Sequence, residues 1–179
     1  MTTVMVVDDE YLVRRGLKET IDWASYGFQI IGEAANGIDG YEKYLELHPD
    51  IIITDVRMKR ATGLELIEKL KACKDFDSEI VIISAYDDFE YVKKALENDV
   101  SAYILKPIRE EELISVMLKA KSELKEKREN KNLMANMAEQ IPVIRNNFLK
   151  DLFEGKIKDR EKIIKKCELY EIPIPTEEY

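Results

Sequence analysis

Histidine is almost missing: His48 is the single one in 179 residues, and it precedes Pro49 in a turn-forming stretch. A lone imidazole there is a poor ligand or catalyst and reads as a solvated turn residue. Cysteine is nearly as scarce. Cys73 and Cys167 show neither metal nor disulfide spacing and read as reduced side chains of a cytoplasmic protein. No apolar run approaches the roughly 20 residues of a membrane span, and no signal peptide opens the chain, so no membrane partner is expected. An excess of positive charge is lacking too. The net charge is −8; residues 1–108 carry 13 Lys/Arg against 21 Asp/Glu, and residues 109–179 carry 15 of each. Neither part offers a basic nucleic-acid surface. What remains is a chain long enough for one domain of roughly 100–150 residues plus an extra piece.

Short apolar runs alternate with stretches of helical periodicity. Strands are expected over 3–7, 28–34, 51–54, 80–83 and 101–105, and helices over 10–22, 38–47, 63–73, 87–97 and from Arg109 onward. Tyr26-Gly27, Asn36-Gly37 and Pro49-Asp50 punctuate them. Strands alternating with helices predict an α/β fold, an open parallel sheet with helices on both faces. Ligands of such sheets bind past the C-terminal ends of the strands.

Polar groups collect at that end. Asp8-Asp9-Glu10 follows Val4–Val7, Asp55 follows Ile51–Thr54, Ser84 follows Ile80–Ile83, and Lys106-Pro107 follows Ala102–Leu105. Taken singly, each has a plain explanation: a helix N-terminus, a turn residue, a surface lysine. Together they deliver three carboxylates, a hydroxyl and an ammonium to one crevice. Carboxylates crowded in this way repel unless a hard cation shares them, which points to Mg²⁺; the hydroxyl and ammonium suit a phosphoryl oxygen. Lys106-Pro107 is an X-Pro bond, the kind that adopts cis in tight turns.

Beyond Arg109, Leu113, Met117, Ala120 and Leu124 form a stripe at spacings of four and three. Lys125–Asn132 interrupts it with charge, and Leu133, Met134, Met137 and Ile141 resume it. A helix packed on the sheet followed by a solvated helical linker (126–140) explains this, as does a dimerising coiled coil, although clean heptads are too few for the latter. Residues 141–179 read as a partial, truncated helical annex. Ile144, Phe148, Leu149, Leu152 and Phe153 are its apolar face, Gly155 a helix stop, and Asp159 the cap of a helix carrying Ile163, Ile164 and Cys167. Ile172-Pro-Ile-Pro175 is not helical.

The strand-end groups, in this order and spacing over roughly residues 1–125, resemble the receiver domains of two-component response regulators. Asp22-Trp23 through Gly27-Phe28, Gly32–Gly37, Ser84–Val92 and Phe148–Gly155 resemble the subgroup whose longer members end in an AraC-type DNA-binding domain, which residues 1–179 do not contain. The resemblance implies a flavodoxin-like, doubly wound five-stranded sheet of order 2-1-3-4-5 with a C-terminal helical extension. It implies Asp55 as phosphoacceptor for a sensor histidine kinase. Mg²⁺ would be held by Asp9, Asp55 and the Arg57 backbone carbonyl, with Asp8 reaching it through water. Lys106 would offset phosphoryl charge, Ser84 would bind the new phosphoryl group, and Tyr103 would turn inward as a switch. A homodimer is expected from the extended last helix, and DNA contact only through the further domain.

Two features depart from the family pattern, and three other readings compete with it. After Met58 the family usually has proline and, before the glycine, Met-Asp; here the loop reads Lys59-Arg60-Ala61-Thr62-Gly63, with two added cations. The residues flanking an incoming water would be the bulky Arg57 and Tyr86, from which slow self-hydrolysis is expected. A metal-dependent phosphatase with an aspartyl nucleophile would need a second acid where Arg57 stands. A nucleotide binder would need a Gly-rich loop where Asp8-Asp9-Glu10 stands. A receiver working by contact alone is the remaining alternative.

Overall fold

Val4 to Val7 alternate between two faces of one strand, and both faces are buried, which is the condition of a central strand with helices on either side. The computed structural model describes residues 1–85, 93, 98, 100–157, 159–170 and 172. The helix expected over 87–97 and Tyr86 lie outside the described residues, apart from Lys93. Strands β1 (Thr2–Val7), β2 (Phe28–Ala34), β3 (Ile51–Thr54), β4 (Glu79–Ser84) and β5 (Ala102–Leu105) form one sheet in the order β2-β1-β3-β4-β5. All four pairings are parallel. Helices α1 (Tyr11–Thr20), α2 (Gly37–Leu47), α3 (Gly63–Lys71), α4 (Glu110–Phe153) and α5 (Arg160–Leu169) complete the described elements.

The period of two sorts the core. Val4, Val6, Ile51, Ile53, Val81, Ile83 and Ile104 pack with Leu17 of α1 and with Leu113, Ile114, Met117 and Ala120 of α4. Met5, Val7 and Ile52 face the other way, onto Tyr44 of α2 and Leu66 and Leu70 of α3. Fully buried aliphatic side chains such as Ile52 and Ile82 each contribute roughly 1.5–3 kcal/mol of hydrophobic stabilisation. Trp23 closes the first layer: its indole N–H donates to the Leu17 carbonyl at 2.7 Å, and its ring meets Phe28 edge-on with centroids 6.0 Å apart. Lys121 Nζ of α4 lies over the Phe28 ring, 4.9 Å from its centroid. Asp50 ties the start of β3 to β1, accepting from both the N–H and the hydroxyl of Thr3.

Helix ends follow their chemistry. Asn36 caps α2 by accepting from Ile38 and Asp39 N–H, and His48 ends it in the left-handed region at φ 43°. The imidazole is exposed and stacks edge-on with Tyr44, so the solvated-turn expectation holds. Thr62 caps α3 in a full capping box with Glu65. The family's Asp at that position is thus replaced by another N-cap former, and the loop keeps its helix start. β4 includes Ser84 as its last residue, so the hydroxyl stands in the strand rather than just past it.

The described chain divides into two compact units, Met1–Glu126 and Lys127–Tyr179. α4 crosses that division without a break: Lys125–Asn132 is rich in Lys, Glu and Arg, good helix formers, and charge alone does not end a helix. It also passes through Pro142, at the loss of one backbone donor. In the second unit, Gly155 (φ 69°) stops the helix, with Lys156 N–H bonded to the Asp151 carbonyl and Gly155 N–H to that of Leu152. Asp159 caps α5 as expected. Phe148 and Cys167 are buried and Phe148 meets Tyr170 edge-on with centroids 5.6 Å apart, whereas Ile144 and Phe153, expected on the same apolar face, are exposed.

Gly63 fixes how closely α3 approaches the strand-end crevice. A Cβ there would lie 1.9 Å from the Asp55 carbonyl oxygen and 2.9 Å from the Thr54 hydroxyl. Gly63→Ala is expected to destabilise the first unit by about 1–3 kcal/mol, the usual cost of overpacking, read as a lowered urea midpoint. An unchanged midpoint would show that the backbone around Asp55 yields.

Candidate functional site

β1 and β3 end at the same level because Val7 pairs with Thr54. Asp8 and Asp55 therefore leave the sheet side by side, and Asp55 N–H donates to the Val7 carbonyl at 2.9 Å. β5 brings Lys106 in next to β4, with Lys106 N–H on the Ser84 carbonyl at 2.8 Å, and the Lys106-Pro107 bond is cis. The sheet register thus gathers residues separated by up to 98 positions.

Lys106 Nζ lies 2.9 Å from Asp8 Oδ2 and 3.1 Å from Asp55 Oδ2, with Glu10 at 3.7 Å on the rim. Asp8, Asp55 and Ser84 are buried. Asp8 Oδ1 accepts from Glu10 N–H at 2.8 Å, and Asp55 Oδ1 accepts from Val56 N–H at 2.6 Å. Asp9 is half-buried and accepts from Lys59 N–H at 3.4 Å. Asp9 does not cap α1, whose N-cap Glu10 makes no side-chain capping bond. The carboxylate oxygens of Asp8, Asp9 and Asp55 offer one atom each, all within 4.8 Å of one another. At an effective dielectric of ~20, the two attractions at 2.9 and 3.1 Å outweigh the one repulsion between the carboxylates, so Lys106 holds the pair it bridges.

The electrostatics are not balanced. Burial raises the Asp55 carboxyl above its ordinary range, and nearby Asp8 adds to that; Lys106 and Val56 N–H pull the other way without cancelling it. Lys106 is held above its ordinary value: burial opposes its charge, but the Asp8 hydrogen bond and the Asp55 and Asp8 charges outweigh burial. A buried carboxylate held against its preference is relieved by a further cation. Two oxygens on one Mg²⁺ sit about 3–4 Å apart, so the three carboxylates fit a hard divalent ion with small movements.

The other predicted residues are placed as follows. Ser84 is fully buried at the end of β4, beside the strand that carries Asp55. Tyr103 is half-buried and packs on the cluster of Val56, Leu64, Ile67, Ile80 and Ile82. Arg57 is exposed, with its N–H 3.4 Å from Asp55 Oδ1. Three contributors escaped sequence reasoning. Arg14 Nη1 donates to the Asp8 carbonyl at 2.6 Å, fixing the loop from behind. The Thr54 hydroxyl donates to the Asp55 carbonyl at 3.0 Å. Gly63 touches the same carbonyl, and its only local signal was a helix start.

The model of the response regulator receiver domain matches residues 4–118. The transcriptional regulatory protein YesN of Bacillus subtilis is 35% identical over 157 residues, 88% of this chain and 42% of that protein. The chain thus spans less than half the length of that relative. Among solved structures, a two-component transcriptional regulator AraC from Clostridium phytofermentans is 32% identical with a TM-score of 0.64, covering 72% of this chain and 98% of that one. The receiver domain of AraT, a response regulator from Geobacillus stearothermophilus, is 29% identical with a TM-score of 0.64, covering 71% and 98%.

Because its folded-state value is raised, the Asp55 carboxyl stabilises the fold only below its unfolded-state value, and that contribution is lost as pH rises through the folded one. In metal-free buffer, Asp55→Asn is therefore expected to be more stable than the wild type at pH 7, with a margin that shrinks towards pH 4. Paired urea titrations at both pH values measure it; a margin that grows on acidification would contradict the burial argument.

Proposed function

The chain belongs to the response regulator receiver domain family of two-component systems, and on that premise we propose that Asp55 is the phosphoacceptor of a signalling domain rather than the nucleophile of a turnover enzyme. The observation that carries this reading is the buried Asp55 carboxylate, its Oδ2 on the Lys106 ammonium and its Oδ1 on the Val56 N–H.

In the transfer, an Asp55 oxygen forms a bond to phosphorus while the bond from phosphorus to the donor breaks, and the donor leaves with that electron pair. From a kinase the donor atom is a phosphohistidine nitrogen; from acetyl phosphate it is the acetate oxygen. Lys106 sits beside the attacking carboxylate and offsets charge on the phosphoryl oxygens. Asp8, Asp9, Asp55 and the Arg57 backbone carbonyl would hold Mg²⁺, Asp8 through water. When bound, the ion supplies charge neutralisation of the phosphoryl group. Ser84 hydrogen-bonds the new phosphoryl group and Tyr103 packs inward behind it, changing the surface around β5. Biasing such an equilibrium from 1:99 to 99:1 takes about 5.5 kcal/mol.

The partner is a sensor histidine kinase. A groove of about 250 Å³ lies between α1 and the segment entering α4, with Leu12, Val13, Gly16, Leu17, Ile108 and Glu110 in its lining. Leu12 is 76% exposed there, an apolar contact suited to a kinase helix. Residues 1–125 form the receiver, 126–140 a helical linker and 141–179 an annex. The exposed Leu133 and Met134 support association of the linker into a homodimer. DNA contact, and with it control of transcription, belongs to an AraC-type domain outside residues 1–179.

Incubation with Mg²⁺ and acetyl phosphate is expected to add one phosphoryl group by intact mass, and none to Asp55→Ala. Leu12→Asp should keep that labelling rate while slowing transfer from the kinase at least tenfold. No mass gain in the wild type would remove the phosphoacceptor reading; equal slowing from both donors would remove the groove from the kinase interface.

A further inference from the structure

The loop from Arg57 to Thr62 leaves Asp55 and folds back beside Asp9. Lys59 donates its backbone N–H to Asp9 Oδ2 at 3.4 Å, the long end of hydrogen-bond range. Its carbonyl accepts from Ala61 N–H at 3.0 Å. Arg60, between them, has φ 72°. An i→i+2 bond around a positive φ is the rarer, strained hand of γ-turn. The Ala61 carbonyl then accepts from Gly37 N–H at 3.0 Å, where a Cβ on Gly37 would lie 2.7 Å from the Thr62 carbonyl oxygen. The turn is therefore clamped against the start of α2, and Lys59 is presented to Asp9 from a fixed backbone.

The same loop is unusual in charge. Arg57, Lys59 and Arg60 are all exposed, three cations within four residues, in a region (1–108) whose balance is −8. Exposed charges at a crevice mouth act with opposite sign on a cation and on an anion entering it. For two unit charges on the order of 9 Å away across water, a divalent ion's binding shifts by about threefold at 0.15 M salt and about tenfold at 0.01 M.

We propose that Lys59 is a positioning and selectivity residue of the Asp55 site: its backbone N–H holds the Asp9 carboxylate at the rim, while its ammonium, with the Arg60 guanidinium, weakens divalent-cation binding and draws in a dianionic phosphodonor. The inference rests on the phosphoacceptor reading of Asp55 given above. It makes the loop a trade between two ligands of opposite charge. It also separates the two attributes of one residue, because Lys59→Gln removes the charge and keeps the N–H, whereas Lys59→Pro removes both.

The test measures Mg²⁺ affinity by calorimetry without phosphodonor. It also measures the second-order rate of acetyl phosphate labelling at saturating Mg²⁺, in 0.01 and 0.15 M salt. The whole chain is used as wild type, Lys59→Gln/Arg60→Gln, Lys59→Gln and Lys59→Pro. The double variant is expected to bind Mg²⁺ about threefold more tightly at 0.15 M salt and about tenfold more tightly at 0.01 M. It should be labelled more slowly by a similar factor, with a flatter salt dependence. Lys59→Pro is expected to bind Mg²⁺ more weakly than Lys59→Gln. A merely structural role would move both constants the same way, and that result, or no change in either, would overturn the proposal while leaving Asp55 as acceptor. Equal Mg²⁺ affinity in Lys59→Pro and Lys59→Gln would overturn the part assigned to the N–H. A wild type that takes no phosphoryl group would overturn the Asp55 reading and this inference with it.

Discussion

An ammonium shared between two buried carboxylates is the interaction on which the crevice depends. Lys106 meets Asp8 and Asp55 at 2.9 and 3.1 Å. Remove that cation and two neighbouring buried acids remain, an arrangement that costs several kcal/mol unless one of them takes up a proton. The sheet explains how the contact is reached. Parallel pairing of β1 with β3 and of β4 with β5 sets the strand ends side by side, and the buried aliphatic layers on both faces keep them there. The raised carboxyl of Asp55 is the counterpart of this arrangement: the fold holds a charge that burial disfavours, and chemistry that neutralises it is favoured in return.

Much of this was legible in the chain. Runs such as Val4–Val7 and Ile51–Thr54 are short, apolar and bounded by turn residues, so both the strands and the polar groups at their ends could be read from spacing alone. The order of the strands came from likeness to a family, because pairing depends on contacts that no local pattern encodes. Ser84 was misplaced by one step, since a small hydroxyl residue continues a buried strand when its surroundings satisfy it.

Other features were hidden for specific reasons. The loop after Met58 departs from the family pattern, lacking its proline and the Asp before the glycine. Yet Thr62-x-x-Glu65 is a capping signature in plain view, and it supplies the helix start by other means. The contact between Gly63 and the Asp55 carbonyl leaves no sequence trace beyond a glycine near a helix start. Arg14 reaches the Asp8 backbone from the second turn of α1, a position that reads as ordinary solvated surface. In the second unit, helical periodicity placed Phe148 correctly and Ile144 and Phe153 incorrectly: both are exposed, and Phe153 is the last residue of a helix that ends two residues before Gly155.

Trp23 is the single tryptophan of the chain, buried between α1 and Phe28 in the first unit. Its fluorescence is therefore a private reporter on one of two units, while backbone circular dichroism draws on the 44-residue helix that belongs to both. Denaturation followed by the two optical signals amounts to listening to the halves of the molecule separately. Coincident curves would mean that the halves melt as one cooperative body, and divergent ones that each keeps its own stability.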